Sequence, residues 1–570
     1  MKLYTTSILI IATLFICSCN DNNSKIIGSW EESFNDPLAN PIQYLDFYEV
    51  QNKLTISIDE PDEDWYSIPG EKLYFQNDSL HFERFWGLEK YDGKILLGDS
   101  IIKGVKQIGN KQPVAFTIKK ISKERLLYKI PRPGQNGKSV VKYNYKKPFQ
   151  KSDDFLCSTL EDVGMDTVQI CNLINKILTK EIPNIHSLLI FKDNKLVLEE
   201  YFYNYSEIKP HRVHSVTKSF TSALTGIAVD RKFIPDINEY VWKYFTDWDK
   251  SKWVSEKYDI RIKHLLSMSA GLDWKGLTIN EFNDDIDMYK TDDCFGYILN
   301  KNQKFSSGTK FTYNNGLSLM LGHIIEKASR LSIDSFSREF LFKDLNITNY
   351  CWDIDDNGIP QMAGGLKLIP RDMLKFGLLY LNDGTWQGKQ IISKDWIKNS
   401  TLQKISVNDR GYAYHWWTKD YSVNGTLFKT YFALGHGEQA IIVVPNSKLV
   451  FVMTAGNYMQ VEHRPFEIMA QYILPSLKIV NNTTQRKLVG FTGEYQINPT
   501  ESINIELKDS TLLATDPDRK IFKLKRKSNL SFITEDQSRE IQFIADENGT
   551  IVTAEIFVQG QKVETLMKIK

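Results

Sequence analysis

A serine and a lysine three residues apart, Ser215 and Lys218, stand in the run His214-Ser215-Val216-Thr217-Lys218-Ser219-Phe220. On a helix that spacing stacks the two side chains on one face, about one turn apart. The pair suits acyl transfer by a serine hydroxyl whose base is a lysine or a tyrosine rather than a histidine. Four other Ser-x-x-Lys tetrads occur, at Ser100, Ser139, Ser206 and Ser307, and context separates them. Ser100 lies in a strand-like alternation, Ser139 in a Pro/Gly-rich basic stretch, and Ser307 before a glycine turn. Lys209, the partner of Ser206, precedes Pro210, which disfavours a helix there. Only Ser215 leads into a helical pattern, with Val216, Phe220, Ala223, Leu224 and Ile227 at helical spacing. A serine at this place also serves as a plain helix N-cap.

Three further segments carry groups that could complete such chemistry. They are Gly308-Thr309-Lys310-Phe311-Thr312-Tyr313-Asn314-Asn315, Leu434-Gly435-His436-Gly437-Glu438-Gln439, and Ile262 to Leu272, which includes His264 and Gly271. The elements that must position them divide the chain. Residues 25–121 alternate apolar and polar positions between Asp, Gly and Asn turns, as at Leu54–Ile58 and Ala115–Ile118, and read as an N-terminal β-domain. Its opening Gly28-Ser29-Trp30 resembles the first strand of lipocalin-like barrels, with the tryptophan as an end plug. Residues 122–165 read as a linker. Residues 166–478 mix strands and helices, with a hairpin at Ser187–Glu199, helix-rich sequence to about Tyr380, and two late strands either side of Pro445-Asn446. Helices inserted between early and late strands of one sheet predict an α/β sandwich with a helical lobe and a cleft between them. Residues 488–570 return to short strands and read as a second small β-barrel.

The chain has 570 residues, 25% of them charged, with a formal net charge of +1, so nothing points to nucleic acid as a partner. Met1-Lys2-Leu3 and the apolar run Ser7–Cys17 read as a signal peptide, too short for a stable membrane span. Ser18-Cys19 after that run resembles a bacterial lipobox, so residues 1–19 predict an exported protein held to a membrane by lipid on Cys19. An ordinary secretory signal is the alternative. Cys157, Cys171, Cys294 and Cys351 fit no zinc spacing and read as four free or buried thiols, with nothing in the sequence to support the alternative of a Cys157–Cys171 bridge. The run from Asp353 to Gly358 begins like a calcium loop, but its twelfth position is Gly364 rather than glutamate, so it reads as a turn. Asp284-Asp285-Ile286-Asp287 reads as a solvated loop. Neither metal nor cofactor is expected.

In order along some three hundred residues, the central segment resembles the serine hydrolases related to class C β-lactamases, penicillin-binding DD-peptidases and nylon-oligomer hydrolases. The marks are Ser215-x-x-Lys218, the helix to Asp230, the run from His264 to Gly271, Tyr313-x-Asn315, Gly364-Gly365-Leu366 with Pro370-Arg371-Asp372-Met373, Trp416-Trp417, and Gly435-His436-Gly437. The flanking β-domains are similar to accessory domains beside such hydrolases. The resemblance implies a β-lactamase-like antiparallel sheet flanked by helices, and Ser215 as the nucleophile of an acyl-enzyme. It implies that Lys218 and Tyr313 share the proton transfers. Bringing a lysine from its ordinary value to about 7.5 takes roughly 4 kcal/mol, available from burial or a second cation; alternatively a charged Lys218 stabilises a tyrosinate at Tyr313. Asn315 would orient the acyl amide, hold Lys218, or simply cap the helix that follows. The amides of Ser215 and Gln439 would form the oxyanion hole. His436 would bind a substrate carboxylate, orient water, or be structural. Glu438 departs from the family pattern, which has glycine there for close approach to the nucleophile. Either the glutamate points away or the register slips so that Gly437 takes the glycine place. Trp416 and Trp417 either line the acyl pocket or pack. The substrate would be a small ester, amide or D-amino-acid peptide. The rival readings are a silent receptor for a cell-wall-like ligand, or flanking barrels that carry lipid or dock a partner.

Overall fold

Hydrophobic periodicity changes from two to about 3.6 and back along the chain, and the computed structural model follows it. It describes residues 23–477 and 488–569, apart from 33–41, 62, 86, 97, 99, 110, 123–127, 135–137, 152–154, 249–256, 258, 277–283, 356, 459–463, 509–510, 529 and 547–549. The signal-peptide and Cys19 expectations lie outside the described residues. The chain forms two compact units, residues 1–476 and 477–570.

The first unit opens with nine antiparallel strands between Gly28 and Lys120. Alternation puts Trp30, Phe47, Ile56, Phe82, Ile102 and Ile118 inside, with Trp30 fully buried and its indole donating to the Ile26 carbonyl (2.7 Å). This sheet nearly closes. Its two edge strands, Trp65–Pro69 and Glu71–Gln76, follow one another in sequence.

The central sheet has eight antiparallel strands. The early hairpin Ile185–Lys192 and Lys195–Tyr201 joins the late strand Leu449–Ala455, followed in order by Gln439–Val444, Thr426–Gly435, Trp417–Val423, Arg410–Tyr412 and Ile405–Val407. Early and late strands thus share one sheet, as the pattern predicts. The expected linker is packed onto it, with the Tyr145 hydroxyl donating to the Val197 carbonyl (2.9 Å). Helix Pro370–Leu381 covers the sheet, and Arg371 in its first turn makes a bidentate pair with Glu199 of the hairpin (2.7 and 2.6 Å). Helix Thr217–Asp230 runs between the sheet and the helices, and apart from Val229 and Asp230 at its end it is buried on every face. Its small polar residues make that possible: Ser219 donates to the His415 carbonyl (2.7 Å) and Thr221 to that of Met362 (2.8 Å).

The second unit is a closed eight-stranded barrel running from Gly493–Asn498 to Gln561–Lys568, which pair with each other. Its core is apolar, built on Tyr495, Phe532, Phe543 and Leu566. The four described cysteines are free, so no bridge joins Cys157 to Cys171.

Candidate active site

Ser215 is held from both sides by one short strand. Val213 donates its backbone N–H to the Leu366 carbonyl (3.0 Å), and Leu366 donates back to the Thr217 hydroxyl (3.2 Å). The strand Leu366–Leu368 follows Gly364-Gly365, where a side chain on Gly365 would lie 2.5 Å from the Gln361 side chain. Ser215 sits in a 3-10 turn, His214–Val216, that precedes the α-helix. Its side chain caps neither element, so the N-cap alternative is removed. His214 takes a left-handed backbone (φ 47) where the chain enters this turn from the preceding strand.

Lys218, one turn on, is 2% exposed. Its Nζ lies 2.9 Å from Ser215 Oγ and donates to the Ala363 carbonyl at 2.7 Å. Burial pulls the ammonium down to about 7, against the pull of Asp285 in the other direction. The same Nζ lies 4.9 Å from the centre of the Tyr313 ring. Burial pushes the Tyr313 phenol well above its ordinary range; a hydrogen bond with Ser215 works against that and Asp285 adds to it. Trp417 stacks on Tyr313 (6.3 Å, 19° between planes), whereas Trp416 is fully buried against Tyr380 (4.4 Å). One tryptophan lines the site and the other packs.

The run from His264 to Gly271 carries the Tyr313 loop. Met268, Ser269 and Gly271 accept backbone bonds from Thr312 (2.8 Å), Gly308 (2.7 Å) and Phe305 (3.0 Å). Gly271 has φ 81, and a side chain there would meet the Phe305 carbonyl at 2.0 Å.

The structure brings Ser215, Lys218 and Tyr313 together and places the other predicted residues nearby in different roles. The helix Asn315–Ser329 has Asn314, not Asn315, at its N-cap position. The Asn315 amide N–H donates to Asp285 Oδ1 (2.9 Å), while its side-chain oxygen is buried with no hydrogen-bond partner among the described residues. The contact drawn for Asn315 to Lys218 is made instead by the Ala363 carbonyl. Close approach of the late hairpin to the nucleophile falls at Gly435, where a side chain would lie 2.3 Å from the Val213 carbonyl. Neither Gly437 nor Glu438 takes that place. Gly437 and Glu438 form the tight left-handed turn (φ 75 and 74). Glu438 points away, accepting from Asn457 Nδ2 (2.7 Å) and the Arg464 amide (3.0 Å), and burial pushes its carboxyl up to about 7. Gln439 pairs with Gly435 across the hairpin, and its side chain bridges to both backbone groups of Ala455 (2.6 and 3.0 Å). His436 is exposed, with Nε2 at 3.0 Å from the Tyr458 carbonyl.

The acidic run expected to be solvated is a helix, Asp284–Tyr289, with Asp284 and Asp285 buried (9% and 2% exposed). Asp285 is the site residue that sequence reasoning missed. Burial pushes its carboxyl up to about 6 against the Asn315 amide and Lys218, and its second oxygen has no hydrogen-bond partner among the described residues. Its spacing three residues before buried Met288 is the available signal of an inward face. Asp353 and Asp355 form the expected turn, with Asp355 accepting from the amides of Asn357 (3.0 Å) and Ile359 (2.8 Å) and Asp353 pairing with Arg212.

The family model that matches this chain is that of the beta-lactamase family, over residues 183–469. A beta-lactamase from Yersinia enterocolitica is 23% identical over 264 residues, which are 40% of this chain and 64% of that protein, so the chain spans less than two thirds of this relative. Among solved structures, the octameric penicillin-binding protein homologue from Pyrococcus abyssi is 17% identical with a TM-score of 0.42, covering 70% of this chain and 99% of its own. The penicillin binding protein from Bacillus halodurans is 16% identical with a TM-score of 0.40, covering 49% and 94%.

Proposed function

This chain belongs to the beta-lactamase family, and we propose that it is a serine hydrolase that cleaves a small ester, amide or D-amino-acid peptide through an acyl-enzyme on Ser215. One observation carries the reading: a buried lysine, pulled down to about 7, lies 2.9 Å from the serine oxygen. A lysine so placed is substantially neutral near pH 7 and can accept the hydroxyl proton, whereas Tyr313, pushed up, stays protonated. That favours Lys218 over a tyrosinate as the base. Ser215 Oγ attacks the substrate carbonyl carbon while its proton passes to Lys218. The Tyr313 hydroxyl, on the ring that lies 4.9 Å from Lys218 Nζ, relays a proton from Lys218 to the leaving alcohol or amine as the carbon–heteroatom bond breaks. Water, deprotonated by the same lysine, then releases the acyl group.

The backbone amide of Ser215 and that of Gln439, at the hairpin end where Gly435 meets Val213, are the oxyanion donors of this reading. Losing one such donor costs about 3–4 kcal/mol of transition-state stabilisation. Asn315 and His436 flank the cleft as substrate contacts. We further propose export and lipid attachment at Cys19, supported by the apolar run ending Ser18-Cys19. Loss of palmitate labelling in Cys19→Ala tests that part.

A fluorophosphonate probe tests the chemistry. Wild type gains one adduct mass on Ser215 and Ser215→Ala gains none. Equal labelling of the two proteins, or none of either, removes the acyl-enzyme.

A further inference from the structure

We propose that the N-terminal β-domain supplies part of the substrate site, with Trp65 forming a wall that receives a flat apolar group flanking the scissile bond. This inference rests on Ser215 being the nucleophile. Trp65 opens an edge strand of the nearly closed sheet, Trp65–Pro69. Its indole lies 5.2 Å from the ring of His214, the residue before Ser215. It also lies 6.2 Å from the ring of His436 and 4.6 Å from that of Tyr458. Three stretches distant in sequence therefore meet around one indole, one residue from the nucleophile.

The loop that delivers Trp65 is clamped to the strand leading into Ser215. Asp64 is buried and left-handed (φ 62), a conformation that aspartate adopts more readily than most residues. Its carboxylate accepts from the Tyr205 hydroxyl (2.5 Å) and from the Arg212 amide (2.6 Å). Its carbonyl accepts from the Tyr458 hydroxyl, whose oxygen in turn lies 3.3 Å from His214 Nε2. Beside it, the Glu63 carboxylate pairs with Arg212 (2.5 Å) and with Lys367 (2.8 Å), one residue past Leu366, whose backbone brackets Ser215. Lys209 reaches the Pro61 carbonyl (3.1 Å). Docking of one domain on another does not require these bonds to converge on both flanks of a nucleophile. Nor does it require an indole left half-buried beside an exposed histidine. The indole is packed against Phe85 (5.3 Å) as well as the rings of His214, His436 and Tyr458, yet it stays only half-buried, and its accessible part beside the reacting serine is a surface on which a ring or other flat apolar group stacks.

Three esters test this on the full chain: ethyl acetate, with no ring, ethyl phenylacetate, with the ring on the acyl side, and benzyl acetate, with the ring on the alcohol side. Acid release is followed by pH-stat. In Trp65→Ala, kcat/KM for at least one ring-bearing ester falls about five- to tenfold through KM, while ethyl acetate changes less than about twofold. Trp65→Phe retains most of the lost preference. The affected ester tells which side of the bond the wall receives. Where Trp65→Ala does not fold, Trp65→Leu keeps the bulk against Tyr458 and removes the ring face. Equal losses on all three esters, or no loss on any, overturn the role of Trp65 and leave Ser215 untouched. A wild type that turns over none of the three and takes no fluorophosphonate overturns the nucleophile, and Trp65 with it.

Discussion

Arg84 and Lys218 are both buried cations of the first unit, and burial pulls both down, but their partners give the two opposite outcomes. Inside the N-terminal sheet, Arg84 is wholly buried and its Nη1 lies 2.6 Å from Glu60 Oε1. Burial pulls that guanidinium down, but Glu60, Tyr91 and Glu89 together push it up, so its charge is fixed. At the candidate active site, Lys218 is held by two neutral oxygens, the Ser215 hydroxyl and the Ala363 carbonyl. Its carboxylate influence, Asp285, is committed to the Asn315 amide and only opposes the effect of burial. A direct ion pair locks a charge; neutral acceptors with an indirect counter-charge leave it titratable near pH 7.

The largest effects should separate the two clusters cleanly. Lys218→Met is expected to lower kcat/KM by about 10²–10⁴ while leaving the urea midpoint equal to or above that of wild type, because a buried cation is removed. A drop in stability together with retained turnover would reverse the assignment. Arg84→Met should do the converse, destabilising by about 3–5 kcal/mol because Glu60 is left buried without its cation. Urea unfolding that matches wild type would show that the pair is not needed.

Glu32 sharpens the contrast. Burial pushes its carboxyl from 4.5 up to about 7, opposed by Lys106. The folded state then binds more protons than the unfolded one between those values, so its contribution to stability falls as pH rises through that window. Glu32→Gln should therefore exceed wild type by up to about 3 kcal/mol above pH 7 and lose the advantage below pH 4.5. A constant offset across pH would count against a buried, protonated Glu32. The smallest effect belongs to Asp285→Asn. Removing a carboxylate that favours the lysinium should shift the rising limb of kcat/KM against pH acidward by roughly one unit. An alkaline shift, or none, would disconnect Asp285 from Lys218.

Much of this site was legible because its parts act locally. Ser215, in the turn that leads into the helix, and Lys218, in the helix's first turn, are three residues apart, and Tyr313 precedes a helix whose pattern is plain, so their convergence needed only the order of the motifs. Asp285 was illegible because an Asp-Asp-Ile-Asp run looks solvated until the Asn315 amide is seen on it. The Ala363 carbonyl could not be read, since any residue presents one. Glu438 looked like a defect in the nucleophile-facing strand because the glycine required for close approach, Gly435, lies three positions earlier, before the hairpin turn. The two terminal β-domains were readable from alternation, but not the near-closure of the first or the reach of its Trp65 loop. That contact depends on tertiary placement, to which no local periodicity testifies.

The clamp between Asp64 and Tyr458 joins positions 394 residues apart. During vectorial synthesis, at about 5–20 residues per second, roughly 20–80 s separate their emergence. The nine strands ending at Lys120 can assemble in that interval, and the strand Leu366–Leu368 can bracket Ser215, but the link from Asp64 through Tyr458 to His214 closes only when Tyr458 arrives. The brace that runs from the N-terminal β-domain to the residue before the nucleophile is therefore among the last contacts of the first unit to form.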